Sequence, residues 1–130
     1  ETANRERFVI LQIEDPEPLD ELDAIAALPG VDMLFFGPGD FSHAIGAPGV
    51  WDDPRLLDAR RHVAEAALRH DKFAGTVGTA ASLQDLTDMG YRFISMGADV
   101  VGLSQYCNSV VDAFAGLESP RVEAAGIYGR

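Results

Sequence analysis

Four short apolar runs, each followed by a helical pattern, constrain this chain more than any other feature. The first, Phe8-Val9-Ile10-Leu11-Gln12-Ile13-Glu14, is nearly continuous and rich in β-branched residues, as expected of a parallel strand covered on both faces. Asp15-Pro16-Glu17-Pro18 breaks it, and a helix follows with Leu19, Leu22, Ile25, Ala26 and Leu28 on one side, stopped by Pro29-Gly30. Residues 33–36 read as the second strand, closed by Gly37-Pro38-Gly39-Asp40 and a long loop through Gly46, Pro48 and Gly49. Asp53-Pro54 then starts a helix, with Asp as cap and Pro at the first helical position. That helix runs to about Arg69 and presents Leu57, Val63, Ala64, Ala67 and Leu68 inward. Residues 73–77 form the third strand, and a shorter helix with Leu83, Leu86 and Met89 stops at Gly90. Residues 92–96 form the fourth strand, and Gly97-Ala98-Asp99 leads to a last helix around Val110, Val111 and Phe114. The tail after Gly116 reads as irregular.

Strand and helix alternating with short connections means parallel βα units. Four such units fit half of an eight-stranded barrel or a small open doubly wound sheet. The open sheet would expect a G-x-G-x-x-G loop after the first strand, and the first strand here ends in Gln-Ile-Glu-Asp-Pro. Pattern alone leaves the choice open.

Composition narrows the function classes. The chain carries a formal charge of −11, and no basic stripe that could neutralise nucleic-acid phosphates or an anionic membrane surface. No apolar run reaches the roughly 18 residues of a membrane span, and the polar start Glu1-Thr2-Ala3-Asn4-Arg5 lacks a signal peptide's apolar region. The start also lacks an initiator Met, so a longer parent chain is expected. The single cysteine, Cys107, reads as a buried or half-buried thiol in a reducing cytoplasm.

Glu14 ends the first strand and Asp40 follows the second. Adjacent parallel strands would set these ends about 4.8 Å apart, on the face that carries barrel active sites. Two carboxylates held together repel, and a divalent cation of the Mg²⁺ or Mn²⁺ kind relieves that repulsion with oxygen ligands. Spacing alone favours the plainer reading, in which Glu14 caps the next turn and Asp40 caps a helix. The Gly37-Pro38-Gly39-Asp40-Phe41-Ser42 loop adds backbone N–H groups that can approach an anion, though Gly and Pro also serve ordinary turns.

Leu11-Gln12-Ile13-Glu14, Leu28-Pro29-Gly30-Val31-Asp32 and Phe36-Gly37-Pro38-Gly39-Asp40-Phe41-Ser42, in that order, resemble the HpcH/HpaI aldolase family. Gly90-Tyr91-Arg92-Phe93-Ile94-Ser95-Met96-Gly97-Ala98-Asp99 is similar to that family's seventh-helix-to-eighth-strand segment. The resemblance spans residues from about 8 to 116. It implies an α/β fold, the C-terminal half of a (β/α)8 TIM barrel of four parallel βα units, with residues 1–130 as that half and the N-terminal half absent. It further implies a class II aldolase that uses Mg²⁺, Mn²⁺ or Co²⁺ to hold pyruvate or another 2-oxo acid during reversible cleavage of a hydroxy-2-oxo acid to that acid and an aldehyde. Glu14 and Asp40 match the family's metal-binding carboxylates, and Gln12 its glutamine against the 2-oxo acid. Gly39 matches a small residue, usually Ala or Ser, whose N–H meets the substrate carboxylate, and Asp40 beside it is expected to contact the substrate as well as the metal. Phe41 stands where Leu is usual, which affects the specific substrate.

The general-base histidine and substrate-binding arginine of the family belong to the other half of the barrel, so no catalytic residue of that kind is expected in this stretch. His43 reads as a loop or pocket-rim residue, His62 and His70 as solvated, Asp99 as a helix cap, and Trp51 as a pocket rim or a subunit contact. Lys72 precedes the third strand, at the wrong end for Schiff-base chemistry. A half barrel leaves two open sheet edges, so these residues alone are expected to be inactive and marginally folded, or paired with another copy. The complete enzyme is expected to be a cytoplasmic homo-oligomer. Two alternatives stand beside this reading: a CoA-thioester lyase of the citrate lyase β-subunit or malyl-CoA lyase type, and a non-catalytic half-barrel association module.

Overall fold

Four short strands pair in chain order into one parallel sheet, β1 (Ile10–Ile13), β2 (Met33–Phe36), β3 (Phe73–Gly78) and β4 (Phe93–Met96). The coordinates are a computed structural model that describes residues 2–115 and 117. The described residues form two compact units, one ending at Met96 and one starting at Gly97. In the first unit a short α1 (Ala3–Glu6) precedes β1. A 3-10 turn over Glu17–Glu21 runs into α2 (Leu22–Ala26). Then come α3 (Pro38–Ala44), α4 (Pro54–Arg69) and α5 (Leu83–Asp88). The second unit holds α6 (Asp99–Ala115), on which Cys107, expected to be at least half-buried, is free and exposed. The tail expected to be irregular lies outside the described residues, Leu117 apart.

Register explains which side chains are inside. Gln12, Phe35, Gly75 and Phe93 lie in one row across the sheet, and Ile13, Phe36, Thr76 and Ile94 in the next. Successive rows point to opposite faces. The face holding Leu34, Phe36 and Ala74 is buried under α2 and α4, against Leu56, Val63 and Ala67. Thr76 is polar and fully buried there, and its hydroxyl donates to the Phe36 carbonyl at 2.9 Å. The opposite face leaves Phe73 and Phe93 about half exposed (53% and 49%), although Phe35 and Phe93 rings stand 6.2 Å apart. In a closed barrel that face is the filled interior.

Four differences from the sequence reading concern the elements of the first unit. The first strand is shorter than residues 8–14: the Val9 N–H donates to the Asp32 carboxylate at 2.7 Å, and ladder pairing begins at Ile10. The helix after it starts as a 3-10 turn, and Leu28 is exposed beyond its end. Residues 38–44, read as loop, are helical. Pro38 suits a first helical position, and Phe41 anchors the turn against Phe36 with ring centroids 5.2 Å apart. Finally, α4 buries Leu56, Ala59, Val63, Ala64, Ala66 and Ala67, while Leu57 and Leu68 face outward. The alanine-rich stripe lets the helix lie close to the sheet, which larger side chains would prevent.

Asp53 caps α4, accepting from the Arg55 N–H at 2.9 Å and pairing with the Arg55 guanidinium at 2.8 Å. The Arg55 side chain, then its N–H, hold the Asp53 carboxyl down at about 2 from an ordinary 3.8. A depressed folded-state value contributes stability above the ordinary value and loses it as pH falls toward the folded one. Asp53→Asn is therefore expected to flatten the acid limb of stability between about pH 4 and 2, measured as the wild-type minus variant difference in melting temperature across that window.

Candidate active site

Gln12 and Glu14 project from the same face of the chain at the carboxyl end of β1, with the buried Ile13 between them on the other face. The Gln12 Nε2 donates to the Glu14 Oε2 at 2.5 Å, which fixes the carboxylate beside the amide. The Gly37 N–H donates to the Ile13 carbonyl at 2.9 Å, so the end of β2 closes onto the same spot. A Cβ on Gly37 would stand 2.9 Å from Gln12 Nε2 and 3.1 Å from Glu14 Cβ. Glycine at 37 leaves the room in which the Gln12 amide rests against Glu14. Gly37→Ala is expected to push the flexible Gln12 amide off Glu14 while costing under about 1 kcal/mol of stability. The Gln12 side-chain amide resonance in NMR and a urea melt report the two effects.

Asp40 lies in the first turn of α3, three residues past Gly37, and is exposed; Glu14 is half-buried. Both carboxylates thus belong to the carboxyl ends of neighbouring parallel strands, as expected. No group of three or more His, Cys, Asp or Glu that could hold a metal converges among the described residues. A cation held here would draw two carboxylates from this chain and fill its remaining positions from water or substrate, the habit of Mg²⁺ and similar hard ions. Oxygen donors in a half-open setting fit that group. Nothing lies within 4 Å of where a Cβ on Gly39 would sit, so its backbone borders open space.

The other candidates separate. His43 is exposed on the last turn of α3, and His62 is exposed on α4 with Asp58 3.6 Å away. His70, expected to be solvated, is half-buried: its Nε2 lies 2.9 Å from Asp23, which also takes two bonds from Arg69 at 3.0 Å. The His70 and Arg69 contacts hold the Asp23 carboxyl below its ordinary value and clamp α2 to the end of α4. Asp99 opens α6 and accepts from the Val100 N–H at 2.7 Å. Lys72 stands at the amino end of β3.

One feature escaped the sequence reading. A cavity of about 580 Å³ opens between the ends of β2 and β3, lined by Pro38, Gly39, Trp51, Arg60, Val77 and Thr79 among others. Arg60 lies on the inward stripe of α4, four residues after Leu56 and three before Val63. That spacing was the available signal: a charged residue at a core position.

A parallel half barrel with carboxylates at the carboxyl ends of its first two strands is the scaffold of barrel enzymes that bind ligands at that face. The chain belongs to the HpcH/HpaI aldolase/citrate lyase family, whose sequence model matches residues 2–105. It is 37% identical over 105 residues to a hydroxypyruvate/pyruvate aldolase of Paraburkholderia phytofirmans, covering 78% of this chain and 39% of that protein. It is 32% identical over 126 residues to a 2-dehydro-3,6-dideoxy-6-sulfogluconate aldolase of Pseudomonas putida, covering 94% and 48%. A solved HpcH/HpaI aldolase from Desulfitobacterium hafniense superposes with a TM-score of 0.83 at 28% identity, covering 91% of this chain and 46% of that one. The fold is the α/β half of a TIM barrel, and the chain spans about half the length of the curated relatives it matches.

Proposed function

We propose that this chain supplies the cation- and 2-oxo-acid-binding wall of an aldolase. The enzyme reversibly cleaves a hydroxy-2-oxo acid to pyruvate, or a related 2-oxo acid, and an aldehyde. The observation that carries this is the Gln12–Glu14 pair, hydrogen-bonded at the end of β1 and packed against Gly37 just before Asp40. Two relatives whose names state aldolase activity support it. In this reading Glu14 and Asp40 hold a divalent cation, Mg²⁺, Mn²⁺ or Co²⁺. The cation supplies positive charge that stabilises the oxyanion developing on the 2-oxo acid. Gln12 orients the keto group by hydrogen bonding, and its bond to Glu14 keeps the amide from turning away. The Gly39 N–H faces the substrate carboxylate. Lys72 lies at the opposite end of the sheet from Glu14, so it forms no Schiff base at this site. The proton-transfer base comes from outside these residues.

The partners proposed are small molecules, the 2-oxo acid and the aldehyde, in a cytoplasmic homo-oligomer. No described helix is long and apolar enough to cross a membrane. The test is pyruvate release from a 4-hydroxy-2-oxo acid, followed with lactate dehydrogenase and NADH, in the longest chain that carries these residues. Release that a chelator stops and Mg²⁺ or Mn²⁺ restores supports the reading. Thiol release from a CoA thioester, with no pyruvate formed from hydroxy-oxo acids, would replace it with the CoA-lyase alternative.

A further inference from the structure

Arg60 is the one arginine on the buried stripe of α4, and its guanidinium is half-buried with the Nε atom wholly shielded and unpartnered. Four other described arginines find acceptors. Arg55 pairs with Asp53, Arg61 with Asp58 and Arg69 with Asp23, while Arg92 donates to the carbonyls of Thr87 and Tyr91. The sequence holds 21 acidic residues, yet no salt bridge joins any of them to Arg60 among the described residues. Removing a charge from water without a counter-charge is costly. The Phe36 ring, 5.8 Å from Arg60 Cζ, offsets part of that cost as a cation–π contact. It supplies no acceptor for the Nε–H.

The cavity beside Arg60 has the complementary character. No carboxylate lines it among the described residues. Its hydroxyl groups are already engaged with each other's turn: Ser82 Oγ donates to the Thr79 carbonyl at 3.2 Å and accepts from the Thr79 N–H at 2.9 Å. The remaining wall is apolar, from Pro38, Trp51 and Val77. A site with one unpaired cation, apolar sides and about 580 Å³ of space suits a short aliphatic body with a single anionic end.

We propose that this cavity is an oxyanion site in which Arg60 receives the terminal carboxylate or sulfonate of a short-chain organic ligand. The two Nη groups of the planar guanidinium, which unlike Nε are not shielded, match either group through two parallel N–H bonds. Neither Glu14 nor Asp40 lines the cavity, though it shares Gly39 with the proposed 2-oxo-acid site. Its cation is Arg60 rather than a bound metal, so a metal-free titration tests it apart from the aldolase reading.

Trp51 is the only tryptophan of the chain and lines the cavity, so its fluorescence reports occupancy directly. The probes are 1-propanesulfonate and butyrate, titrated at constant ionic strength without added metal, with 1-butanol as the uncharged control. At least one anion is expected to give a saturable change and butanol none, and the stronger anion identifies the preferred oxyanion. Arg60→Met is expected to weaken binding about 10- to 100-fold, the usual span for loss of a charge-assisted bond. Arg60→Lys, which keeps the charge but loses the fork, falls between. Because Arg60→Met removes an unpaired, half-buried charge and keeps an apolar side chain on the inward stripe, it is expected to melt no lower than the parent. The proposal is overturned if neither anion saturates, if butanol matches them, or if Arg60→Met and Arg60→Lys both bind as tightly as the parent.

Discussion

Glu14→Gln and Asp40→Asn, made separately, are each expected to weaken Mn²⁺ binding by about a hundredfold or more, above the 10- to 100-fold typical of residues that only support a metal ligand. Each substitution keeps the size and one oxygen of the side chain and removes the charge. A cation that takes only two carboxylates from the chain loses half its protein charge in either variant. Waters can replace the lost oxygen but not the lost charge. The Gln12 amide adds a second reason for a large effect at Glu14, because it donates to that carboxylate at 2.5 Å and a Gln at 14 would face it with an amide of its own. Electron paramagnetic resonance of free Mn²⁺ measures affinity without any turnover. On the proposed reading pyruvate release should fall in step, since a site with half its charge holds the proposed cation less firmly. Unchanged Mn²⁺ affinity in both variants would remove Glu14 and Asp40 from the metal site.

The strand-end placement of these carboxylates was legible because parallel βα units force it: apolar runs end where their chemistry begins. The choice between barrel and open sheet was not legible, since both are made from the same repeating unit. Strand order decides it. A doubly wound sheet reverses its strand order at a switch point, whereas β1 to β4 here follow chain order with no such reversal. Helical residues 38–44 were hidden by their glycine and proline, which mark turns as readily as helix starts. On α4 the larger leucines, Leu57 and Leu68, looked like the core face, yet the packed stripe is built on alanine because close approach to the sheet decides the contact. Arg60 was missed for a related reason. A charged residue four places from Leu56 reads as surface unless the whole stripe is traced, and its unpaired state appears only when every nearby carboxylate has a position.

Phe36→Ala is expected to cost about 3–5 kcal/mol, the usual range for emptying a buried aromatic site, which is a large part of the roughly 5–15 kcal/mol that holds a typical domain together. Phe36 is fully buried. It pairs with Ile13 on one side and Thr76 on the other, meets the Phe41 ring at 5.2 Å, and lies under the Arg60 guanidinium. Its loss therefore opens a cavity at the junction of β1, β2, β3, α3 and α4, where no single neighbour can move in without breaking strand pairing. The Phe41 anchor of α3 goes with it, so Asp40 should loosen along with the core. Urea unfolding followed by circular dichroism gives the first effect, and a drop in Mn²⁺ affinity gives the second. Phe93→Ala is the control from the opposite face of the same sheet. Phe93 is 49% exposed, and its loss is expected to cost under about 1 kcal/mol in this chain. If the two substitutions cost the same, the helix-covered face is not the principal core, and the packing described for α4 against β2 and β3 is wrong.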